Sequence, residues 1–442
     1  MKRFRKIIFW VHLCVGVAVG FMIALLCLTG AVLAFEDDFI AAVEKDSVTL
    51  ELAAGTERKA IDELVRMAQE VEPDATFSQI VIAFEPSTAW RLNMGRRDFR
   101  YLNPYTGEIW QSEAQGLRDF FFFNFELHRW LVLQGDSRDT GRMITNVANL
   151  GFLFLCLSGL YLWFPRVWRW KAFRAVMMLK RGAKGKARDF NWHNVFGFWA
   201  LIPLILMILT GAYFYYDWAK DGANILFGPS APRVGTQLPA QHIEDSLIEG
   251  ETLSMEARFD VASAWSEDWE EITMPIASSA TLGPRGAGQG AGRGAGSGRG
   301  PGQGQGGGSG GQGAGDGSGP GGAIGAGTGP GAAQGGGRRG PSVDPALVLV
   351  QEAGQWFPFN RPSELLVDLY TGVIAAQRQP SDLSFREKLH SSLRYIHTGE
   401  AGLLPGKIIA FLGCIAGLIL VYSGFALSYR RLMSSRRKKK AS

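Results

Sequence analysis

Cysteine and histidine are scarce in this chain of 442 residues, which holds four cysteines and six histidines. Cys14, Cys27, Cys156 and Cys414 all lie inside apolar runs, and no two of them have the spacing of a metal site. This distribution argues against a disulfide framework, a zinc ribbon and a covalent Cys-x-x-Cys-His haem site. Charge of one sign is not in large excess either, because 46 basic residues stand against 41 acidic ones. The basic residues lie beside apolar runs, so the small excess does not indicate nucleic-acid binding.

Apolar residues are abundant and are concentrated in four long runs. A helix needs about 20 apolar residues to cross a bilayer, and runs of that length cover residues 7–34, 144–164, 194–216 and 406–428. The first run follows a basic N-terminus, as in a signal peptide. It is too long for the apolar part of a signal peptide, and three further runs follow, so we interpret it as a retained helix.

Lysine and arginine predict the orientation of these helices. Segment 165–190 holds nine basic residues and a single acidic one, Asp189, and both ends of the chain are basic as well. By the positive-inside rule these three segments lie in the cytoplasm, and 35–143 and 217–405 lie outside. The sequence therefore predicts a multi-pass membrane protein with both termini in the cytoplasm.

The chain consists of two similar halves. The pattern His-x3-Gly-x12-Thr-Gly-Ala occurs at His12 and again at His193. Three more segments recur in the same order: 101–107 with 366–372, 127–131 with 389–393, and Ser158-Gly159 with Ser423-Gly424. Each half thus reads as a helix, an external domain, an amphipathic segment with a histidine, and a second helix. Because both halves start and end in the cytoplasm, they form a parallel repeat about an axis near the membrane normal.

The predicted fold is an α-helical membrane protein, a four-helix transmembrane bundle built from two parallel repeats with two small external α+β domains. Helical spacing marks 56–72 and 255–267, and strand patterns mark 78–84, 89–94, 98–110, 271–276, 346–352 and 364–375. The predicted boundaries are 1–34 (first membrane helix), 35–117 (first external domain), 118–166 (amphipathic helix and second membrane helix), 167–190 (basic cytoplasmic loop), 191–217 (third membrane helix), 218–382 (second external domain), 383–430 (amphipathic helix and fourth membrane helix) and 431–442 (basic cytoplasmic tail).

A glycine-rich tract at 283–340 interrupts the second external domain. It holds too few apolar residues to fold, so we predict a disordered insert at a hairpin tip. Its Gly-x-Gly-x-x-Gly matches do not lie between a strand and a helix, so they do not indicate a dinucleotide site.

His12 and His193 are predicted to bind a haem between them. A histidine inside a membrane helix is costly unless it has a partner or a ligand. The two residues have the same register in the two halves, so a pseudo-twofold axis makes them face each other. Paired neutral imidazoles are usual axial ligands of b-type haem. The alternative is an interfacial role, with hydrogen bonds to lipid or backbone.

A second pair is predicted on the external side, from His128, His390 and His397. The repeat pairs His128 with His390, while His397 lies closer to the last membrane helix and is the alternative ligand. Arg129, Arg394 and Arg142 are near enough in sequence to bind haem propionates. Surface histidines on interfacial helices are the competing interpretation. His242 has no counterpart in the repeat and is interpreted as a surface residue.

Several motifs together resemble the PepSY-associated transmembrane helix family. They are the Thr-Gly repeat, Asn-Pro-Tyr-Thr-Gly-Glu at 103–108, Leu-His-x-x-Leu, Gly-Leu-Tyr-Leu-Trp-Phe-Pro-Arg at 159–166 and Asn-Trp-His-Asn at 191–194. The resemblance covers nearly the whole chain except the glycine-rich tract. It implies a bacterial inner-membrane protein with four core helices and two periplasmic PepSY domains. It also implies a haem-containing reductase that reduces ferric siderophores in the periplasm and releases ferrous iron.

Three functions are compatible with these features. The leading one is a membrane oxidoreductase with two bis-histidine b-type haems that reduces a ferric siderophore or other ferric chelate. This chain has no flavoprotein module, so its electron donor would be a quinol or a separate flavoprotein. The sequence shows no protein nucleophile or acid–base pair, and electron transfer needs none. The alternatives are an iron-chelate permease without redox chemistry and a non-enzymatic scaffold in the cell envelope.

Overall fold

The computed structural model describes residues 2–53, 55–95, 98–164, 169–230, 252–276, 346–355 and 361–440. The glycine-rich tract 283–340 and His242 lie outside these residues. The helices are α1 Lys2–Leu33, α2 Glu36–Glu44, α3 Ile61–Val71, α4 Gln115–Trp130, α5 Ser137–Trp163, α6 Trp170–Met177, α7 Gly185–Trp199, α8 Leu201–Tyr213, α9 Asp217–Phe227, α10 Met255–Trp265, α11 Phe385–Ser391, α12 Leu393–Thr398 and α13 Leu403–Lys440. The strands are β1 Gln79–Ala83, β2 Trp90–Asn93, β3 Phe99–Leu102, β4 Ile109–Trp110, β5 Trp269–Pro275, β6 Ala346–Glu352, β7 Ser363–Val367 and β8 Ile374–Arg378.

Long apolar helices form one part of the molecule. Within the described residues, the segments around α1, α5 and α13 are long and apolar enough to cross a membrane, and α7 with α8 adds a fourth if this bent pair is one span. Helix α1 packs against α5 and α13, and α7 packs against α13. We call α1, α5, α7, α8 and α13 the helical part. Its basic end carries the start of α1 and the end of α13, and its sheet end adjoins the strands.

The third predicted span is bent, which the sequence analysis missed. Helices α7 and α8 meet at Ala200 with an angle of 63° between them. Pro203 explains the bend, because its nitrogen carries no hydrogen for the carbonyl of Trp199 four residues earlier. Its ring also crowds that carbonyl, so the helix breaks just before the proline.

All eight strands belong to one antiparallel sheet, in the order β4-β3-β2-β1-β5-β6-β7-β8. The sequence predicts two separate external domains; in the structure, segments 35–143 and 217–405 each supply four strands to this one sheet. The halves meet where β1 pairs with β5, with Ile80 opposite Met274 and Ile82 opposite Ile272. All four of these side chains are fully buried. The predicted helices and strands of these segments mostly agree with the structure to within a few residues. Helix α3 begins at Ile61 rather than at residue 56. The predicted strands 98–110 and 364–375 each divide into two strands.

Helices α3 and α10 share the hydrophobic core of the sheet and cap each other. Asp62, in the first turn of α3, accepts hydrogen bonds from the backbone N–H groups of Met255 and Glu256 at 2.9 and 3.0 Å. Glu256, in the first turn of α10, accepts one from the N–H of Ile61 at 2.8 Å. A carboxylate is favourable at a helix N-terminus because the first N–H groups have no partner within the helix. The two exchanged carboxylates therefore tie the halves of the sheet domain together.

Candidate functional site

Four of the five predicted ligand histidines lie in two pairs. The ring centres of His12 and His193 are 6.3 Å apart, towards the basic end. Those of His128 and His397 are 6.4 Å apart, at the sheet end. With metal–imidazole bonds of about 2 Å, two rings on opposite sides of one metal ion have centres about 6 Å apart. Both pairs therefore have the separation needed to hold one metal ion between them.

Serine hydroxyls orient the rings of the pair near the basic end. His12 Nδ1 lies 2.8 Å from Ser158 Oγ on α5. His193 Nδ1 lies 2.9 Å from Ser423 Oγ on α13. Each histidine is thus held by a hydroxyl on a helix other than its own.

Threonine hydroxyls do the same at the sheet end. His128 Nδ1 lies 2.8 Å from Thr29 Oγ1 on α1. His397 Nδ1 lies 3.0 Å from Thr210 Oγ1 on α8 and 3.0 Å from the carbonyl oxygen of Met207. Thr29 and Thr210 are the threonines of the Thr-Gly repeat, so the structure gives that repeat a role at the histidines.

Counting hydrogens at these hydroxyls fixes the tautomer of the rings. Each hydroxyl donates its own hydrogen to the carbonyl four residues earlier in its helix, over 2.6 to 2.8 Å: Thr29 to Leu25, Ser158 to Phe154, Thr210 to Leu206 and Ser423 to Ile419. A hydroxyl has one hydrogen, so towards the histidine it can only accept. Nδ1 therefore carries the ring hydrogen, and Nε2 keeps the lone pair that a metal ion needs.

The sheet-end histidines are also held in the neutral form. Burial lowers the pKa of His128, and the nearby His397 and Arg129 lower it further. Burial likewise lowers the pKa of His397, with a smaller contribution from Arg129. Both rings are neutral at physiological pH, as metal ligation requires.

His390 is not the partner of His128, and that part of the prediction is wrong. Its Nδ1 donates to the carbonyl of Gly228 at 2.8 Å, and its Nε2 accepts from the Tyr213 hydroxyl at 3.2 Å. The lone pair of Nε2 is therefore already engaged by the protein. The Leu-His-x-x-Leu match was misleading because the two halves differ in the length of the segment that follows the histidine.

The packing of the helix ends shows that His397 is the equivalent of His128. The carbonyl of Trp130, two residues after His128, lies directly against Gly141 of α5. The carbonyl of Gly399, two residues after His397, lies in the same way against Gly406 of α13. A side chain at either α5 or α13 glycine would collide with that carbonyl, so these contacts align the two halves on His397.

A cavity of about 740 Å³ extends from the sheet-end pair to strands β2 and β3. His128 and His397 line its inner part, together with apolar residues of α1 and α8. The predicted propionate ligands Arg129, Arg394 and Arg142 line it as well. Its outer part is formed by side chains of both charges from the sheet and α4, among them Arg91, Asp98, Arg118 and Asp119.

Helix α4, which carries His128, is fixed to the sheet by a buried carboxylate. Glu44 at the end of α2 accepts a hydrogen bond from the Tyr101 hydroxyl at 2.9 Å and pairs with Arg118 of α4 at 2.5 Å. It also accepts a hydrogen bond from Ser112. This network joins α2, β3 and α4 at one point, so the position of His128 depends on the sheet. Local sequence patterns do not predict this network, because Glu44 is 57 or more residues away from its three partners in the chain.

The donor set fits a macrocyclic metal cofactor better than a bare ion. Among the described residues no group of three or more His, Cys, Asp or Glu side chains converges as a metal site. Two imidazoles alone are too few ligands for a metal ion, and a porphyrin would supply the remaining nitrogen donors. The neutral rings, their free Nε2 atoms and the cavity beside the sheet-end pair all suit haem.

These features define a class, namely helical membrane proteins with paired histidines between their helices and a sheet domain at one end. The family model described as "PepSY-associated TM region" matches residues 9–431, so the chain belongs to this membrane-protein family. This confirms the resemblance stated from the sequence. No curated protein matches the chain.

Proposed function

We propose that this protein is an inner-membrane oxidoreductase that carries electrons across the membrane to a ferric chelate. In this proposal α1, α5, the bent pair α7–α8 and α13 form a four-span bundle of two parallel repeats. The basic end lies in the cytoplasm and the sheet lies in the periplasm. The proposal rests on the two histidine pairs. In each pair the ring centres lie 6.3 or 6.4 Å apart and Nε2 is free.

Two b-type haems would be held by these residues, one by His12 and His193 and one by His128 and His397. Bound haem supplies reversible one-electron chemistry at its iron. The protein residues hold the ligands in the correct tautomer, and Arg129 and Arg394 are placed to bind carboxylates at the sheet end. His12 and Thr29, which belong to different sites, are 17 residues apart on α1, a rise of about 25 Å. That distance is close to the thickness of the hydrocarbon core.

The cavity at the sheet end supports the choice of an external electron acceptor. It leads from His128 and His397 to strands β2 and β3, so a soluble chelate could approach the reduced site. Each ferric ion takes one electron, and a quinol that gives two electrons and releases two protons reduces two ferric ions. A flavoprotein is the other donor class. Ferrous iron binds hard oxygen donors less tightly than ferric iron, so reduction favours its release from a siderophore.

The two alternative functions do not account for the paired histidines and their hydroxyl partners. An iron-chelate permease has no need of paired histidines with free Nε2 atoms. A non-enzymatic scaffold has no need of hydroxyls that fix the tautomer of histidine rings. The fourfold recurrence of the histidine–hydroxyl contact therefore favours the reductase over both.

The first test is a visible spectrum of the full chain purified in mild detergent, oxidised and after dithionite, with a pyridine haemochrome assay. We expect a low-spin b-type spectrum and two haems per chain, falling to one in His12→Ala and in His193→Ala. Mixing the reduced protein with ferric citrate should reoxidise the haem and yield ferrous iron. A wild-type chain without haem, purified from cells with ample haem, would refute the proposal.

A further inference from the structure

The same contact with a hydroxyl and a glycine recurs at each of the four paired histidines. We call Ser158-Gly159, Ser423-Gly424, Thr29-Gly30 and Thr210-Gly211 the hydroxyl–glycine pairs. The hydroxyl lies at the Nδ1 of the histidine, and the glycine lies at its Cε1. A Cβ added to the glycine would be 3.4 to 3.6 Å from Cε1, which is ordinary van der Waals contact. The ring therefore lies against the helix backbone, and the hydroxyl is the group that acts on it chemically.

We propose that the four hydroxyls of these pairs are positioning residues that set the affinity and the reduction potential of the two metal sites. This inference rests on the proposed function. A hydrogen-bond acceptor at Nδ1 fixes the orientation of the ring and makes Nε2 more basic. A more basic ligand favours the ferric state, so the hydroxyls lower the potential of the iron that their histidines bind.

The four contacts are not equivalent, and the difference makes the inference testable. His397 has two acceptors at Nδ1, the Thr210 hydroxyl and the Met207 carbonyl, both at 3.0 Å. His12 has the Ser158 hydroxyl at 2.8 Å. Loss of the hydroxyl at Ser158 should therefore have a larger effect than loss of the hydroxyl at Thr210, where a carbonyl still receives the hydrogen.

The test compares four variants of the full haem-loaded chain in detergent. Ser158→Ala removes the hydroxyl, Ser158→Thr keeps it, and Thr210→Val removes a hydroxyl for which the Met207 carbonyl is a substitute. Ser428→Ala, at a buried serine five residues beyond Ser423 on α13, is the control for a serine lost from the helical part. Haem affinity is measured by transfer to apomyoglobin, and the midpoint potentials of both sites by spectroelectrochemistry.

We expect Ser158→Ala to bind haem about 10- to 100-fold more weakly, as when other hydrogen-bond partners of metal-bound histidines are removed. The reduction potential of one site should also be raised. Ser158→Thr should restore both properties, Thr210→Val should change them less, and Ser428→Ala should resemble the wild type. If Ser158→Ala does not fold, Thr29→Val and Thr29→Ser test the hydroxyl at His128, where the Leu26 carbonyl also accepts from the ring and Thr29→Val should have a smaller effect that Thr29→Ser reverses.

Two results would overturn the inference while leaving the proposed function intact. One is a haem-loaded Ser158→Ala protein with wild-type affinity and potentials. The other is an equal loss in Ser158→Ala and Ser158→Thr, which would assign the effect to packing rather than to the hydroxyl. A wild-type chain that binds no haem would overturn the proposed function and this inference with it.

Discussion

At the scale of single residues, the decisive property is which ring nitrogen is free. His390 and His397 both lie on the sheet side and are seven residues apart in the chain. In His390 both ring nitrogens have protein partners, Gly228 and Tyr213. In His397 the partners given by the structure are all at Nδ1. Sequence spacing cannot separate these two cases, because the partners come from distant segments.

This difference predicts opposite results for two alanine variants. His397→Ala should reduce the haem content from two to one per chain, because the sheet-end site loses a ligand. His390→Ala should keep both haems and the low-spin spectrum, and lose only a structural hydrogen bond. Haem per chain and the reduced spectrum of the two variants, purified side by side, make the comparison. Loss of haem in His390→Ala with retention in His397→Ala would reverse the assignment.

At the scale of helices and strands, the exchanged caps of α3 and α10 make a measurable contribution to stability. Burial alone would raise the pKa of Glu256, but hydrogen bonds from Arg58 and from the N–H of Ile61 outweigh it, so the pKa is lowered. A carboxylate with a lowered pKa stabilises the folded state above its unfolded pKa, and this contribution is lost as the pH falls. The stabilising contribution of the Glu256 carboxylate is therefore fully present at pH 7.

Glu256→Ala should therefore destabilise the sheet domain by about 1–2 kcal/mol at pH 7, as the loss of a helix cap does. The difference from the wild type should shrink as the pH falls below the usual value for glutamate, about 4.3. Thermal unfolding followed by tryptophan fluorescence at pH 7 and pH 4 measures both effects.

Glu70→Ala is the matched control for this prediction. Its carboxylate forms an exposed ion pair with Arg66 on α3, and such pairs contribute about 0–1 kcal/mol. Equal destabilisation by Glu70→Ala and Glu256→Ala would show that the exchanged cap has no special role.

How far the sequence predicts each element depends on whether its cause is local. The apolar runs, the strand alternation and the start of α10 at Ser254 have local causes, and those predictions were close. The bend in the third span has a local cause too, namely Pro203, although the sequence analysis predicts a single straight helix there. The shared sheet and the Glu44 network depend on contacts between distant segments, and neither could be foreseen. The pairing of His12 with His193 was predictable because the repeat itself carries information on distant contacts.

At the scale of the whole molecule, the glycine-rich tract is attached at the end of a paired hairpin. Thr273 of β5 lies opposite Leu349 of β6, and continuing that register places residues 276 and 346 opposite each other. The segment between them, 277–345, lies outside the described residues. Its two points of attachment are therefore neighbours, and a short turn could join them.

Joining residue 282 directly to residue 341 should therefore preserve both haem sites. It shortens the connection from 69 residues to 11, and a shorter loop has a smaller closure entropy. At about 0.6 kcal/mol per halving of loop length, the sheet domain should gain about 1–2 kcal/mol. Haem content and thermal unfolding of the shortened chain are compared with the full chain. A loss of haem would mean that the tract contributes to a metal site.

The junction of β1 and β5 limits how the molecule can move. Five residue pairs, from Gln79 opposite Pro275 to Ala83 opposite Glu271, join the two halves at the centre of the sheet. In transporters built from repeats, one repeat rocks against the other to expose a site first on one side and then on the other. Here such rocking would break the hydrogen bonds between β1 and β5 and expose the buried side chains of Ile80 and Ile272 to water. The two halves are thus joined through the sheet, and a rocking motion of one half against the other would first have to separate β1 from β5.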